Sequence, residues 1–284
     1  MPSEIHTHIQ PWSLALPVAL ALAAVGLVYM RGWFGLRTAY PNMIPAWRVA
    51  AFIGGLFSVW IAVGSPLVTL DHYLLTIHMA KHLLLMAVGP PLILWGTPTL
   101  PLLCGLPKFL QLDLPLRNRR AQWIGRFLSH PVVCWLAATG AVIGWHLPAA
   151  FQLALRSHAW HDVELASFLV AGFLFWLPVV QPWPSVAGWD RWTVPLYLFL
   201  ATLPCDILSA FLVFCGRVIY PSYLAAPQLF HLSPLQDQEF AGALMWVSVT
   251  LIYLLPAFVI TLQILSPRVQ RSQIQAFAWR RSKT

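Results

Sequence analysis

Two histidines four residues apart, His78 and His82, stand inside a long apolar stretch of this chain. On a helix that spacing places both imidazoles on one face, where they can share a metal ion. At about 100° per residue, Asp71 falls within about 40° of the pair, and Met79 and Met86 border the same face. Trp145-His146-Leu147-Pro148 offers a third imidazole beside a proline that stops a helix. His161 and Glu164, at i, i+3, suit a ligand with a carboxylate that orients it. They equally suit a solvated helix start, where the dipole favours acids. Asp206 lies in a later apolar run, where an ionised acid needs a partner; Lys81, a histidine or a bound cation would serve. Asp237 reads as an N-cap or as a further ligand. Imidazole with nearby thioether suits copper, and imidazole with carboxylate suits zinc, copper or iron. The alternative for each histidine is a neutral ring hydrogen-bonded to a neighbouring group.

Other chemistries lack their residues. There is no nucleophile–base arrangement, no phosphate-cradling glycine loop and no HExxH, so turnover of a substrate is not expected. Cys104, Cys134, Cys205 and Cys215 lie far apart with no CxxC, which indicates neither a disulfide framework nor a zinc ribbon. A retinal-type photoreceptor needs a Schiff-base lysine in the last apolar run, and none is there.

The elements that must position these groups follow from composition. Of 284 residues, 59% are hydrophobic and 9% charged, against about 25% charged in soluble domains. With a mean hydropathy of +0.70 the chain is expected to be an all-α polytopic membrane protein. Seven apolar runs mark its spans, at about 13–30, 46–65, 72–95, 131–149, 161–180, 194–216 and 239–264, in one transmembrane domain over 1–284. Pro90, Pro91, Pro98 and Pro101 break any long helix around 90–106, where a short re-entrant or interfacial segment fits. No Lys or Arg precedes the first run, which is therefore expected to be a retained helix rather than a signal peptide.

Charge placement orients the bundle. Fourteen of the seventeen Lys and Arg residues fall in loops on one side, among them Arg31, Arg48, Lys108, Arg117, Arg126, Arg191 and Arg268. Only Arg156 and Arg217 fall in loops on the other, and Lys81 lies inside span three. The positive-inside rule then puts the N-terminus outside and the C-terminus in the cytoplasm. The net charge of +8 needs no nucleic-acid partner, and the histidine cluster falls in the outer half of the membrane.

Several motifs together resemble the multi-span CtaG family, assembly factors for caa-type cytochrome c oxidase. They are His78-Met79-x-x-His82 with Met86, Pro90-Pro91, Trp145-His146-Leu147-Pro148, His161-x-x-Glu164, Phe173-Leu174-Phe175-Trp176-x-Pro178, Tyr220-Pro221-x-Tyr223 and Asp237-Gln238-x-x-Ala241-Gly242-x-x-Met245-Trp246. The resemblance runs from span one to span seven. It implies a multi-pass factor of the bacterial inner membrane that serves a haem–copper oxidase at the copper-insertion stage. Oxidase subunits or other assembly factors would be its partners. Carried over by residue, His78, His82, His146, His161 and Asp237 match the family's polar signature, and Leu165 stands where the family commonly has a second histidine after Glu164. The expected site is therefore copper held by His78, His82, His146, His161 and Asp237, supported by Met79, Asp71, Asp206 and Glu164.

Two alternatives differ in class. A b-type haem protein needs imidazoles on facing helices at matched depth, but His146 sits nearer the surface than His82, so haem is not expected. A copper transporter needs a polar path to the cytoplasm, where the inner halves of the spans carry few polar groups. From the charge asymmetry, a reporter fused after Thr284 is expected to read cytoplasm and one inserted near Ser233 to read outside. The reverse pattern in both fusions would overturn the orientation.

Overall fold

Prolines and glycines decide where this chain's helices break and where they touch. The computed structural model describes residues 15–40, 44–65, 69–107, 119–181, 190, 192–226 and 229–266. Lys108, Arg117, Arg191, Arg268 and the basic residues that follow lie outside the described residues. Among those described, the long elements are all helical: α1 (Ala15–Ala39), α2 (Ala46–Gly64), α3 (Leu75–Leu83), α4 (Gly89–Trp95), α5 (Thr99–Gly105) and α6 (Arg119–Leu128). After them come α7 (Pro131–His146), α8 (Pro148–Arg156), α9 (His158–Val180), α10 (Thr193–Phe214) and α11 (Pro234–Leu265). Six spans are long and apolar enough to cross a bilayer: α1, α2, the α3–α4 unit, α9, α10 and α11. Joining α7 to α8 across their 75° bend makes seven. The chain is an all-α polytopic membrane protein.

The α3–α4 unit, Leu75–Trp95, is the centre of the bundle: 67% of its most apolar window is buried, against 22–44% for the other spans. A π turn at Leu84–Val88 joins its halves. Pro90 has no N–H for the Met86 carbonyl four residues back, and its ring would crowd that oxygen. The wider turn relieves the clash. The released Met86 carbonyl accepts from Trp176 Nε1 of α9 at 3.1 Å, and the Leu84 carbonyl lies 3.4 Å from Ser58 Oγ of α2. Gly172 lets α9 approach here, since a methyl group on it would sit 2.8 Å from the Met86 Cα.

Several expected boundaries move, each for a local reason. The third span begins at Leu75 rather than at 72, because residues 69–73 form a turn and Leu74 is extended. His82 therefore lies about 10 Å into its helix at 1.5 Å per residue, shallower than a helix begun near Leu70 would put it. The seventh begins at Pro234 rather than 239, started by a capping box in which Ser233 and Gln236 exchange hydrogen bonds. The fourth ends at His146, three residues short of its expected end. Proline at 148 does stop that helix, but it also opens the next, as the first residue of α8. The fifth starts one turn early, at His158. The loop between spans three and four contains α6, whose exposed Trp123, Ile124 and Phe127 suit a helix lying at the membrane surface.

The segment after Pro98 forms α5, which lies against α1. Gly32 and Gly105 make that approach: a methyl group on Gly32 would run into the Pro101 carbonyl, and one on Gly105 into the Val28 carbonyl. Gly105→Ala is expected to lower stability by about 1–3 kcal/mol through overpacking. An unchanged melting temperature of the purified variant would show that α5 does not dock on α1.

Candidate functional site

The start of α3, the end of α7 and the starts of α9 and α11 meet at one end of the bundle, and the polar residues gather there. Helical spacing brings His78 and His82 together, their ring centroids 4.4 Å apart. Glu164, on the second turn of α9, points between them: its Oε1 lies 3.4 Å from His78 Nε2 and 3.4 Å from His82 Nε2. One ligand atom from each of His78, His82 and Glu164 falls within 4.8 Å of the others, and all three residues are buried. Phe151 of α8 packs 4.8 Å from the His78 ring, and Phe168 of α9 stacks 4.0 Å from the His82 ring, so apolar walls hold both imidazoles.

These groups are short of partners. Both nitrogens of His78, both of His82 and Oε1 of Glu164 are buried without a hydrogen bond. Five such atoms in one place are unusual, since buried polar atoms are overwhelmingly bonded. A metal ion fits this donor set: it would take one nitrogen from each ring and the carboxylate oxygen, leaving one N–H on each ring. Charge points the same way. With neutral imidazoles the buried groups at this end hold three carboxylates, Asp71, Glu164 and Asp237, against one ammonium, Lys81. That ammonium pairs with Asp71, so a cation beside Glu164 would offset an otherwise uncompensated charge.

A second layer fixes the carboxylate. Glu164 Oε2 lies 3.2 Å from His161 Nδ1, the i, i+3 contact that their spacing suits. The far side of that ring, His161 Nε2, is 3.1 Å from Lys81 Nζ and 3.3 Å from Asp71 Oδ2. Burial alone would raise the Asp71 carboxyl, but the His161 hydrogen bond and the Lys81 charge hold it well below the usual carboxylate range. Tyr223 Oη donates to the Asp71 carbonyl at 2.9 Å, and Tyr220 Oη donates to the His146 carbonyl at 3.0 Å. Gln238 ties the same loop to α11 by accepting from the Ile219 amide at 2.7 Å and donating to the Leu212 and Arg217 carbonyls.

The remaining expected residues separate from the three-atom group. His146 Nδ1 donates to its own Val142 carbonyl at 2.7 Å, while Nε2 faces Met79 Sδ at 3.2 Å. Its ring centroid lies 6.0 Å from that of His82. Asp237 is committed elsewhere: it accepts from the Leu75 amide at 2.6 Å and the Thr76 amide at 3.2 Å, with Thr76 Oγ1 at 2.7 Å. It caps α3 from another helix, sitting inside the first turn of α11, and does not cap its own. Asp206 faces Thr250 of α11, 3.4 Å from its Oγ1. Lys81 does not meet it, because α10 packs on α11 and α7 and the ammonium finds Asp71 at the α3 start.

Tyr220, Tyr223, Phe151 and Phe168 were not expected at the site. Phe168 carried a spacing signal, four residues after Glu164 and so on its face, and Tyr220 and Tyr223 stood in one motif of the resemblance. Nothing local in that motif shows which carbonyls the two tyrosines reach.

The fold and site define a polytopic helical membrane protein with a buried histidine–carboxylate centre. Residues 27–266 match the cytochrome c oxidase caa3 assembly factor family (Caa3_CtaG), and the chain belongs to that family. An uncharacterized protein of Mycobacterium leprae (strain TN) is 22% identical over 258 residues, covering 86% of this chain and 38% of its own length. Uncharacterized proteins of Mycobacterium bovis (strain ATCC BAA-935 / AF2122/97) and Mycobacterium tuberculosis (strain CDC 1551 / Oshkosh) are each 23% identical over the same length and shares. This chain thus spans 38% of the length of these curated relatives. No solved structure matches it.

Lys81→Met leaves the buried Asp71 carboxylate without its cation and is expected to cost about 3–5 kcal/mol. Adding Asp71→Asn should recover much of that loss. Thermal unfolding of the purified proteins reads both, and a Lys81→Met protein as stable as wild type would show that the pair contributes nothing.

Proposed function

We propose that this chain serves cytochrome c oxidase maturation at the copper-insertion stage, holding copper as cargo between His78, His82 and Glu164. The observation that carries this is the convergence of five buried nitrogen and oxygen atoms without hydrogen-bond partners. His161 holds Glu164 Oε2, leaving Oε1 turned toward the imidazoles. The role is that of a carrier or holder, without turnover. The positive-inside asymmetry supports an outward-facing site in a bacterial inner membrane, where nascent oxidase subunits or other assembly factors would receive the ion.

The cavity beside the centre has a volume of about 50 Å³, room for an ion and a few atoms. A Soret band in the visible spectrum of the purified protein would overturn copper in favour of haem.

Metal analysis of the purified protein tests the centre itself. Wild type is expected to bind copper, and His78→Ala and His82→Ala to bind less of it. His161→Ala should keep the ligands but weaken binding by about 10–100-fold, as loss of an orienting partner does. In cells, deletion should leave the oxidase synthesised but inactive, with other respiratory oxidases intact. Normal oxidase activity in both histidine variants at limiting copper would overturn the proposal.

A further inference from the structure

We infer that His146 and Met79 form a second, softer metal position, next to the first and selective for Cu(I). This rests on the copper reading above and adds to it a sulfur ligand and an oxidation state. The Val142 carbonyl can only accept, so the nitrogen 2.7 Å from it, His146 Nδ1, carries the proton. In the neutral ring Nε2 is then a bare lone pair. It faces Met79 Sδ at 3.2 Å, and a thioether sulfur has no proton to offer. Two bases thus confront each other in a buried place, His146 being 6% exposed and Met79 0%. A soft cation between them turns that contact into two bonds.

The surroundings are soft as well. His146 and Met79 line a cavity of about 50 Å³, together with His82, Met86, Met245 and Cys205. Thioether and imidazole select Cu(I) over divalent ions that favour oxygen. His82 stands at the junction: it faces Glu164 at 3.4 Å, and its ring centroid lies 6.0 Å from that of His146. The two positions adjoin on α3, where Met79 stands between His78 and His82, and His146 reaches them from the end of α7. An ion exchanging between them keeps His82 as a common ligand, so it is never released into apolar surroundings.

X-ray absorption of purified full-length protein loaded with Cu(I) reads the sulfur directly. Wild type is expected to show copper bound to nitrogen and sulfur together. Met79→Leu, nearly isosteric, should lose the sulfur signal and weaken Cu(I) at least about tenfold, while Zn(II) binding changes less than about twofold. His78→Ala should do the reverse, weakening Zn(II) and retaining sulfur-bound Cu(I). Wild-type Cu(I) bound by nitrogen and oxygen alone would overturn the soft position and leave the first reading standing. Wild type that binds neither ion would overturn both. Because the sulfur signal is read on wild type, poor folding of a variant does not blunt the test.

Discussion

The carboxylate of Glu164 sets the terms for the rest of this bundle. It has no solvent exposure, it stands on a membrane span, and an ionised acid in such a place needs charge or hydrogen-bond compensation. The structure supplies it unevenly. Oε2 has His161, itself against Lys81 and Asp71, whereas Oε1 has two imidazoles at 3.4 Å that make no hydrogen bond to it. One oxygen is held and the other is left for something else. A held oxygen on one side and unpartnered atoms on the other favour the ion-binding role proposed above over a polar packing cluster, in which both oxygens would be spent.

Holding that oxygen in place requires breaks in the helices rather than continuity. If α7 ran on past His146, α8 could not turn 75° and bring Phe151 against the His78 ring. If α3 began at the turn of 69–73, Asp71 would remain on the helix face and could not fold back to meet Lys81. The Asp237 cap enforces the later start by taking both free amides at Leu75 and Thr76. Farther along, the π turn of the same span packs against α9, where Gly172 permits the close contact.

Much of this was legible because it is periodic. The apolar runs mark the spans, and the i, i+4 and i, i+3 spacings mark His78 with His82 and His161 with Glu164. What stayed hidden depends on contacts between elements. Asp237 reads as a cap from its type, but sequence alone assigns it to its own helix, whereas it serves α3. Lys81 and Asp71 lie ten residues apart, about 80° and about 15 Å apart on a continuous helix, so their pairing depends on the turn before α3. Glu164 reads as a residue that orients His161. The geometry reverses the two, because the neighbours of Glu164 Oε1 come from another span and spacing within α9 carries no trace of them.

The loop between α10 and α11 adds the last constraint. Tyr220 and Tyr223 donate to carbonyls beside the centre, at His146 and Asp71, and Tyr220 stacks 4.0 Å from Phe151, the residue against His78. Gln238 pins the same loop to the first turns of α11. One loop thus touches the end of α7, the turn before α3 and the wall of the histidine pair. A movement of that loop that breaks its two tyrosine bonds would loosen His146 and Asp71 together while leaving Glu164 and His161 joined on α9. In the carrier proposed above, a loop placed this way would act on His146 and Asp71 without touching the Glu164–His161 contact.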